Sequence, residues 1–273
     1  PEREDPGNKN FNKNNIPKII SGYDNKSLLI AKKLYGKIVK ELVPVESIQT
    51  AELAKLLENI YRAVNIGLVN EMKIISDKMG INIIEVIKAA ATKPFGFKPF
   101  YPGPGIGGHC IPVDPFYLSW KAKQFKVDAK FIELAGRINS SIPVWVVRKI
   151  SKSLKSNNKL ISKSKLLVIG IAYKEDVDDL RESPSLTIIN LLKKKGAKVN
   201  YHDPYIDKIP KTRKHNFNLS SVKLTKNEIS FYDAVVICTA HTNINYNLIF
   251  KNAKLIIDTR NVYNKKAKKL IKA

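Results

Sequence analysis

Cysteine is scarce in this chain: Cys110 and Cys238 are the only two among 273 residues, far apart and in unlike surroundings. That excludes a disulfide framework and makes a reducing cytoplasm the expected setting. Long hydrophobic runs are also missing. No stretch approaches the ~18 apolar residues of a membrane span, and no signal-peptide pattern opens the chain, so no membrane partner is expected. Acidic residues are outnumbered two to one, 24 against 48, which leaves a net charge of +24. Nearly all of the basic residues are lysine, dispersed at helical spacing as in Lys149, Lys152, Lys155 and Lys159. A nucleic-acid footprint would cluster arginine with aromatic residues, so the charge reads as a solvated lysine surface and nucleic acid is not an expected partner. An initiating methionine is absent too: the chain opens at Pro1 with "PEREDPGN", which reads as the interior of a longer protein.

What is present suffices for two domains with their own cores. Residues 16–46 read as a strand, a helix and a short strand. From Ser47 or Thr50 as cap, Leu53, Leu57, Ile60, Val64, Leu68, Met72, Ile75 and Met79 recur at spacings of three and four, with Gly80 as the stop. A helix over about 83–92 precedes a Pro/Gly-rich loop, and "DPFYLSWKAKQF" and "AKFIELAGRIN" carry helical patterns after it. Pro143 is expected to kink or restart the second of these, with Ser140 or Ser141 as cap. Beyond "KSNNKLISKSK" the pattern becomes β-α-β alternation, the mark of a parallel sheet covered on both faces. The expected fold is therefore α/β, with units at 1–46, 47–157 and 158–273. Ligands of such sheets bind beyond the carboxyl ends of the strands, where Tyr173-Lys174, His202-Asp203, Thr239 to His241 and Asp258 to Arg260 fall.

Two constellations carry chemistry. In "YPGPGIGGHCIPVDP", Gly103, Gly105, Gly107 and Gly108 pare down the backbone ahead of Cys110, with His109 and Asp114 close by. A lone cysteine is ordinarily a small buried hydrophobe, the reading given to Cys238 in "AVVICTA". A glycine-flanked loop better fits a thiolate nucleophile, and no second Cys/His pair stands at metal spacing, so no metal is expected. On the long helix, Glu52, Lys55, Asn59 and Arg62 share one face. That stripe reads either as a salt-linked surface or as a lysine base beside an amide that steadies an oxyanion. In "GIAYKEDVDDLRESPS", Lys174 and Arg181 offer phosphate partners, or stabilise a surface loop with Asp178 and Asp179. This loop lacks GxGxxG, so it is no plain dinucleotide fingerprint.

Together, "PEREDPGN", "AELAKLLENIYRAVNIGLVNE", "YPGPGIGGHCIPVDP", "GIAYKEDVDDLRESPS", "YHDPY" and "DTRN" resemble the UDP-glucose/GDP-mannose dehydrogenase family, in family order over essentially the whole chain. "NIYRAVNI" and "GGHCIPVDPFYL" look like the branch that oxidises UDP-N-acetylhexosamines, UDP-N-acetylglucosamine in particular. The resemblance implies an N-terminal NAD-binding Rossmann domain, a helical dimerisation core and a C-terminal Rossmann-like UDP-binding domain. It places only the end of the first within residues 1–46, so the chain is expected to be a fragment, inactive alone. The implied reaction is an NAD-dependent, two-step oxidation of the sugar C6 alcohol to a uronate for surface polysaccharide. By similarity Cys110 forms the thiohemiacetal and thioester, Lys55 and Asn59 steady the oxyanion, Asp114 assists, and Glu2 sits near the sugar. Tyr101, Gly103, Gly105, Gly107, Tyr173, Lys174 and Arg260 match substrate-binding positions, Arg181 one that contacts NAD, and Lys93 or Lys98 a basic residue lent by the other subunit of a homodimer. The alternative is a UDP-sugar-binding dimer without dehydrogenase activity.

Overall fold

A computed structural model of the chain describes every residue except 6, 9, 13 and 212–214. Near the N-terminus β1 (Lys18–Ile20) and β2 (Leu42–Pro44) pair in parallel across α1 (Asn25–Tyr35). The Asp24 carboxylate caps α1 by accepting the Ser27 N–H at 2.7 Å. Next comes α2 (Ile48–Met79), which starts where the Ser47 side chain accepts the Thr50 N–H and stops at Gly80, left-handed at φ 72. Then follow α3 (Ile83–Ala90), α4 (Asp114–Gln124) and α5 (Lys130–Lys155).

The face that α2 turns inward is not its row of large apolar residues. Ala51, Asn59, Ala63, Gly67 and Asn70 are buried, whereas Leu53, Leu57 and Met79 are 52%, 64% and 66% exposed. Small side chains let two helices approach closely. A Cβ on Gly67 would stand 3.3 Å from Ala135 Cα of α5. Across this contact runs a directional relay of amides. Asn139 Nδ2 donates to the Ala63 carbonyl at 3.0 Å, Asn70 Nδ2 donates to Asn139 Oδ1 at 2.9 Å, and Asn70 Oδ1 accepts the Gly103 N–H at 3.1 Å.

Pro143 neither restarts the helix nor needs a serine cap: α5 is one helix through it, and Ser141 donates back to the Ile138 carbonyl at 2.7 Å. Pro143 costs a main-chain hydrogen bond. Burial of Ile142, Val146, Val147 and Ile150 against the sheet domain offsets that cost. The carboxyl half of α5 thus packs into the core of the sheet unit, which is why the helix does not restart.

That unit is a five-stranded parallel sheet of β3 (Lys165–Ile169), β4 (Lys198–His202), β5 (Ala234–Ile237), β6 (Ile256–Asp258) and β7 (Leu270–Lys272), in the order β4-β3-β5-β6-β7. One face packs Leu166, Val168, Val236 and Ile257 against α5 and α6 (Pro184–Lys194). The other packs Leu167, Ile169, Val235 and Ile256 against α7 (Lys226–Phe231) and α8 (Tyr246–Asn252). The chain leaves β3 toward β4 on one side and returns to β5 on the other, so the carboxyl ends of β3 and β5 flank the switch point where a ligand crevice opens.

The amide relay yields an expectation. Asn139→Ala leaves the Asn70 amide and the Ala63 carbonyl buried without their partner, and should lower the unfolding free energy by about 2–4 kcal/mol. Urea titration followed by circular dichroism measures it; an unchanged midpoint would refute the relay's contribution.

Candidate functional site

Residues 101–108 form an extended strap between α3 and α4, wedged between the helical unit and the sheet. Gly103 is needed there because a Cβ would lie 2.7 Å from Arg260 Nη1. Arg260 is held from behind: its Nε donates to the Cys238 carbonyl at 2.7 Å, and burial pulls its pKa below the ordinary arginine value. At Gly107 a Cβ would come within 2.6 Å of Tyr173 Cβ. The next N–H, of Gly108, donates to the Arg181 carbonyl at 2.8 Å. Gly105 lies between these two contacts, partly buried, and Tyr101 at the strap's start is half-exposed.

The strap delivers Cys110 to the start of α4. Asp114 is the first residue of that helix, and its N–H donates to the Cys110 carbonyl at 2.8 Å. Asn59 Nδ2, from α2, donates to Asp114 Oδ2 at 3.0 Å. Burial raises the Cys110 thiol pKa, and the Asp114 carboxylate raises it further by its charge and by accepting from the thiol; Lys55 and Arg181 oppose this. Asn59 and Asp114 are thus joined directly, and the charges of Asp114 and Lys55 both act on the Cys110 thiol. Cys110 is exposed, whereas Cys238 is fully buried and its thiol is pushed up to about 12. The helix stripe is not a self-contained salt-linked face, since Asn59 turns inward and is only 4% exposed.

Donor atoms of His109, Cys110 and Asp114 lie within 4.8 Å of one another, with Cys110 Sγ 3.9 Å from His109 Nδ1. Asp114 also accepts from Asn59 through Oδ2, and the Cys110 thiol donates to the same carboxylate.

The opening residues cross the site's edge. Arg3 pairs with Glu58 on α2 at 2.7 Å, and Asp5 pairs with Lys174 at 2.7 Å. Glu2 is exposed and pairs with Lys18 at 3.3 Å. Arg181 is exposed and bound through Nε and Nη2 to Asp179 at 2.9 and 2.6 Å. Beside it opens a cleft of about 980 Å³, lined by His109, Tyr117, Asp179, Arg181, Ser183 and Tyr205 among others. Lys93 lies over the Phe95 ring at 4.9 Å, in the 91–99 segment that leads to the strap. Asn70 and Asn139 escape a sequence reading: an asparagine inside an apolar helix carries no signal of its partner.

Two family models match the chain. The central domain of the UDP-glucose/GDP-mannose dehydrogenase family covers residues 49–141, and its UDP binding domain covers residues 167–265. The chain belongs to this family. A UDP-N-acetyl-D-mannosamine dehydrogenase of Methanococcus vannielii is 36% identical over 256 residues, 90% of this chain and 56% of the relative. A UDP-N-acetyl-D-glucosamine 6-dehydrogenase of Pseudomonas aeruginosa is 32% identical over 243 residues, 89% of this chain and 56% of the relative. The solved UDP-D-ManNAc dehydrogenase of Pyrococcus horikoshii superposes with a TM-score of 0.78 at 33% identity, over 91% of this chain and 57% of that one. The chain thus spans just over half the length of the family members it matches. Strap, thiol and sheet ends all fall within or beside the two matched domains.

The electrostatics of the thiol give a measurable consequence. A raised pKa means less thiolate at a given pH, so alkylation of Cys110 by iodoacetamide should lag an ordinary thiol and accelerate only as pH climbs past the usual cysteine value. Asp114→Asn removes a charge that raises the pKa and should speed alkylation at pH 8 by about 3- to 10-fold; Lys55→Ala removes one that lowers it and should slow the reaction. Equal rates in all three proteins would mean that neither charge acts on the sulfur.

Proposed function

We propose that this chain is the substrate-binding and thiol-bearing part of an NAD-dependent UDP-N-acetylhexosamine 6-dehydrogenase acting in surface-polysaccharide synthesis. One observation carries the reading: a thiol, a carboxylate, an amide and an ammonium from 110, 114, 59 and 55 converge beside a strap tied to Arg260 and Arg181. Cys110 Sγ adds to the C6 aldehyde of the half-oxidised sugar, its proton leaving toward the Asp114 carboxylate. Asn59 and Lys55 stabilise the oxyanion so formed. Once the adduct has become a thioester, Asp114 serves the attacking water and the thiol departs. Tyr101, the strap main chain, Tyr173, Lys174 and Arg260 bind the UDP-sugar, with Glu2 at the sugar's edge and Lys93 or Lys98 reaching a partner subunit's site. Relatives named for the mannosamine epimer are somewhat more similar than those named for glucosamine, so both UDP-sugars enter the test.

The residues present do not fit NAD as a complete cradle. Gly103, Gly105 and Gly108 fall in GxGxxG register, but they lie between α3 and α4 with no strand before them. A dinucleotide turn joins a strand to a helix N-terminus. Arg181 remains the one NAD contact assigned here, and no hydride step is derived from these residues. This favours the second reading for the isolated polypeptide: a UDP-sugar-binding dimer that does not turn over. The dimer is supported by Leu53, Leu57, Leu68, Met72, Ile75 and Met79, an apolar row left exposed along α2.

Calorimetric titration should therefore register UDP-N-acetylglucosamine or UDP-N-acetylmannosamine binding, weakened about 10-fold or more by Arg260→Ala. The 273-residue chain should produce no NADH with either sugar, while adding an N-terminal NAD-binding domain from a relative should restore uronate formation, lost again in Cys110→Ala. No UDP-sugar binding at millimolar concentration, or steady NADH from the chain alone, would refute the assignment. Sedimentation should give a dimer, and Leu57→Glu with Met72→Glu should give a monomer; a wild-type monomer at all concentrations would count against the α2 interface.

A further inference from the structure

A second polar cluster lies at the carboxyl end of the sheet, away from the thiol. His241, after β5, is fully inaccessible, and Asp203, after β4, is 1% exposed. The Asp176 main-chain N–H donates to His241 Nδ1 at 3.0 Å, so that nitrogen carries no proton. The ring proton is therefore on Nε2, which donates to Asp203 Oδ2 at 3.0 Å. Asp203 also accepts the N–H groups of Ile171 and Ala172 at 2.7 and 3.2 Å, and that of Tyr205 at 2.9 Å. Burial by itself would raise the Asp203 pKa; His241 and these N–H donors hold it below the ordinary carboxylate value.

Asp176 is the unusual member. Its φ is 56, in the left-handed region that few non-glycine residues occupy. Its carboxylate is engaged as well, accepting the Thr242 N–H at 2.9 Å and the Thr242 hydroxyl at 2.8 Å. The turn from 173 to 176 is thus held at one end by Asp203, through Ile171 and Ala172, and at the other by His241 and Thr242. Lys174 lies in that turn, with its Nζ on the Asp5 carboxylate at 2.7 Å.

We propose that His241 is a positioning residue for UDP-sugar binding. Locked as the Nε2–H tautomer against Asp203, it presents Nδ1 as a fixed acceptor that sets the left-handed turn and so positions Tyr173 and Lys174 beside the crevice. A histidine that merely fills space has no need of one tautomer. Here a carboxylate dictates the tautomer on one side, and a main-chain donor in a left-handed turn reads it on the other. The consequence for affinity rests on the assignment of Lys174 as a substrate contact above; the setting of the turn does not.

Three measurements on the full chain test this. In ¹⁵N–¹H correlation spectra of the wild type, His241 Nδ1 should show the signature of an unprotonated acceptor. Hydrogen exchange of the Asp176 amide should accelerate at least ~10-fold in His241→Leu and stay within about 3-fold of wild type in His241→Asn, whose amide oxygen can take the place of Nδ1. For UDP-N-acetylhexosamine affinity, His241→Leu and Lys174→Ala should each weaken binding, and the double variant should be no weaker than the weaker single one. A proton on Nδ1 in the wild type, an Asp176 amide indifferent to His241→Leu, or losses that multiply in the double variant would each overturn the proposal. If Lys174→Ala leaves affinity unchanged while the exchange results hold, the substrate role of Lys174 falls and with it the effect on affinity, but the turn-setting role stands. Should His241→Leu fail to fold, the wild-type tautomer and the exchange of His241→Asn decide the matter.

Discussion

The Asn70 amide holds a main-chain N–H of a segment that has few side chains to hold it by. Gly103 can donate to Asn70 because its own lack of a Cβ lets Arg260 lie against it. Move the strap outward by the width of a methyl group and both contacts are lost together. The relay behind Asn70 keeps that from happening: Asn139 fixes which end of the Asn70 amide faces the strap, and the Ala63 carbonyl fixes Asn139. Each amide has one orientation that satisfies both neighbours, so the network is specified as well as stabilised. The strap's far end is fixed by Gly108 on the Arg181 carbonyl. Between these two anchors the chain is led to Cys110.

What arrives there is a thiol in its resting state. The nearest carboxylate, Asp114, suppresses the thiolate, and the nearest ammonium, Lys55, favours it. Burial tips the balance toward the protonated form. The arrangement also protects the sulfur, because a free thiolate in an exposed loop would meet any electrophile or oxidant. The carboxylate that restrains the sulfur also accepts its hydrogen bond, so charge and contact act through the same side chain.

α2 serves two surfaces with opposite demands. Toward α5 it needs small residues, for only these allow the two backbones to come close enough for the asparagines to bridge them. Its large apolar residues are displaced to the outer face, where they remain exposed in the single chain. Hydrophobic periodicity therefore identifies the helix but not which of its faces meets α5.

Much of this architecture was legible in order of residues alone. Caps at Ser47 and Gly80, the strand–helix alternation after residue 158, and the glycine-framed Cys110 all follow from local rules, since turns, caps and apolar runs are decided within a few residues. The same rules had no purchase on β7, α7 and α8, each too short to show a period. A restart at Pro143, one of the outcomes they allowed, does not occur, since burial of the following turns against the sheet outweighs one lost hydrogen bond. The meeting of Asn59 with Asp114 spans more than fifty positions, and that of Asp176, Asp203 and His241 joins the ends of three strands. Residue order set which chemical groups were available and which segments could be helix or strand. Which groups face one another was decided by the tertiary structure, because a hydrogen bond between distant residues depends on packing that no local stretch of chain contains.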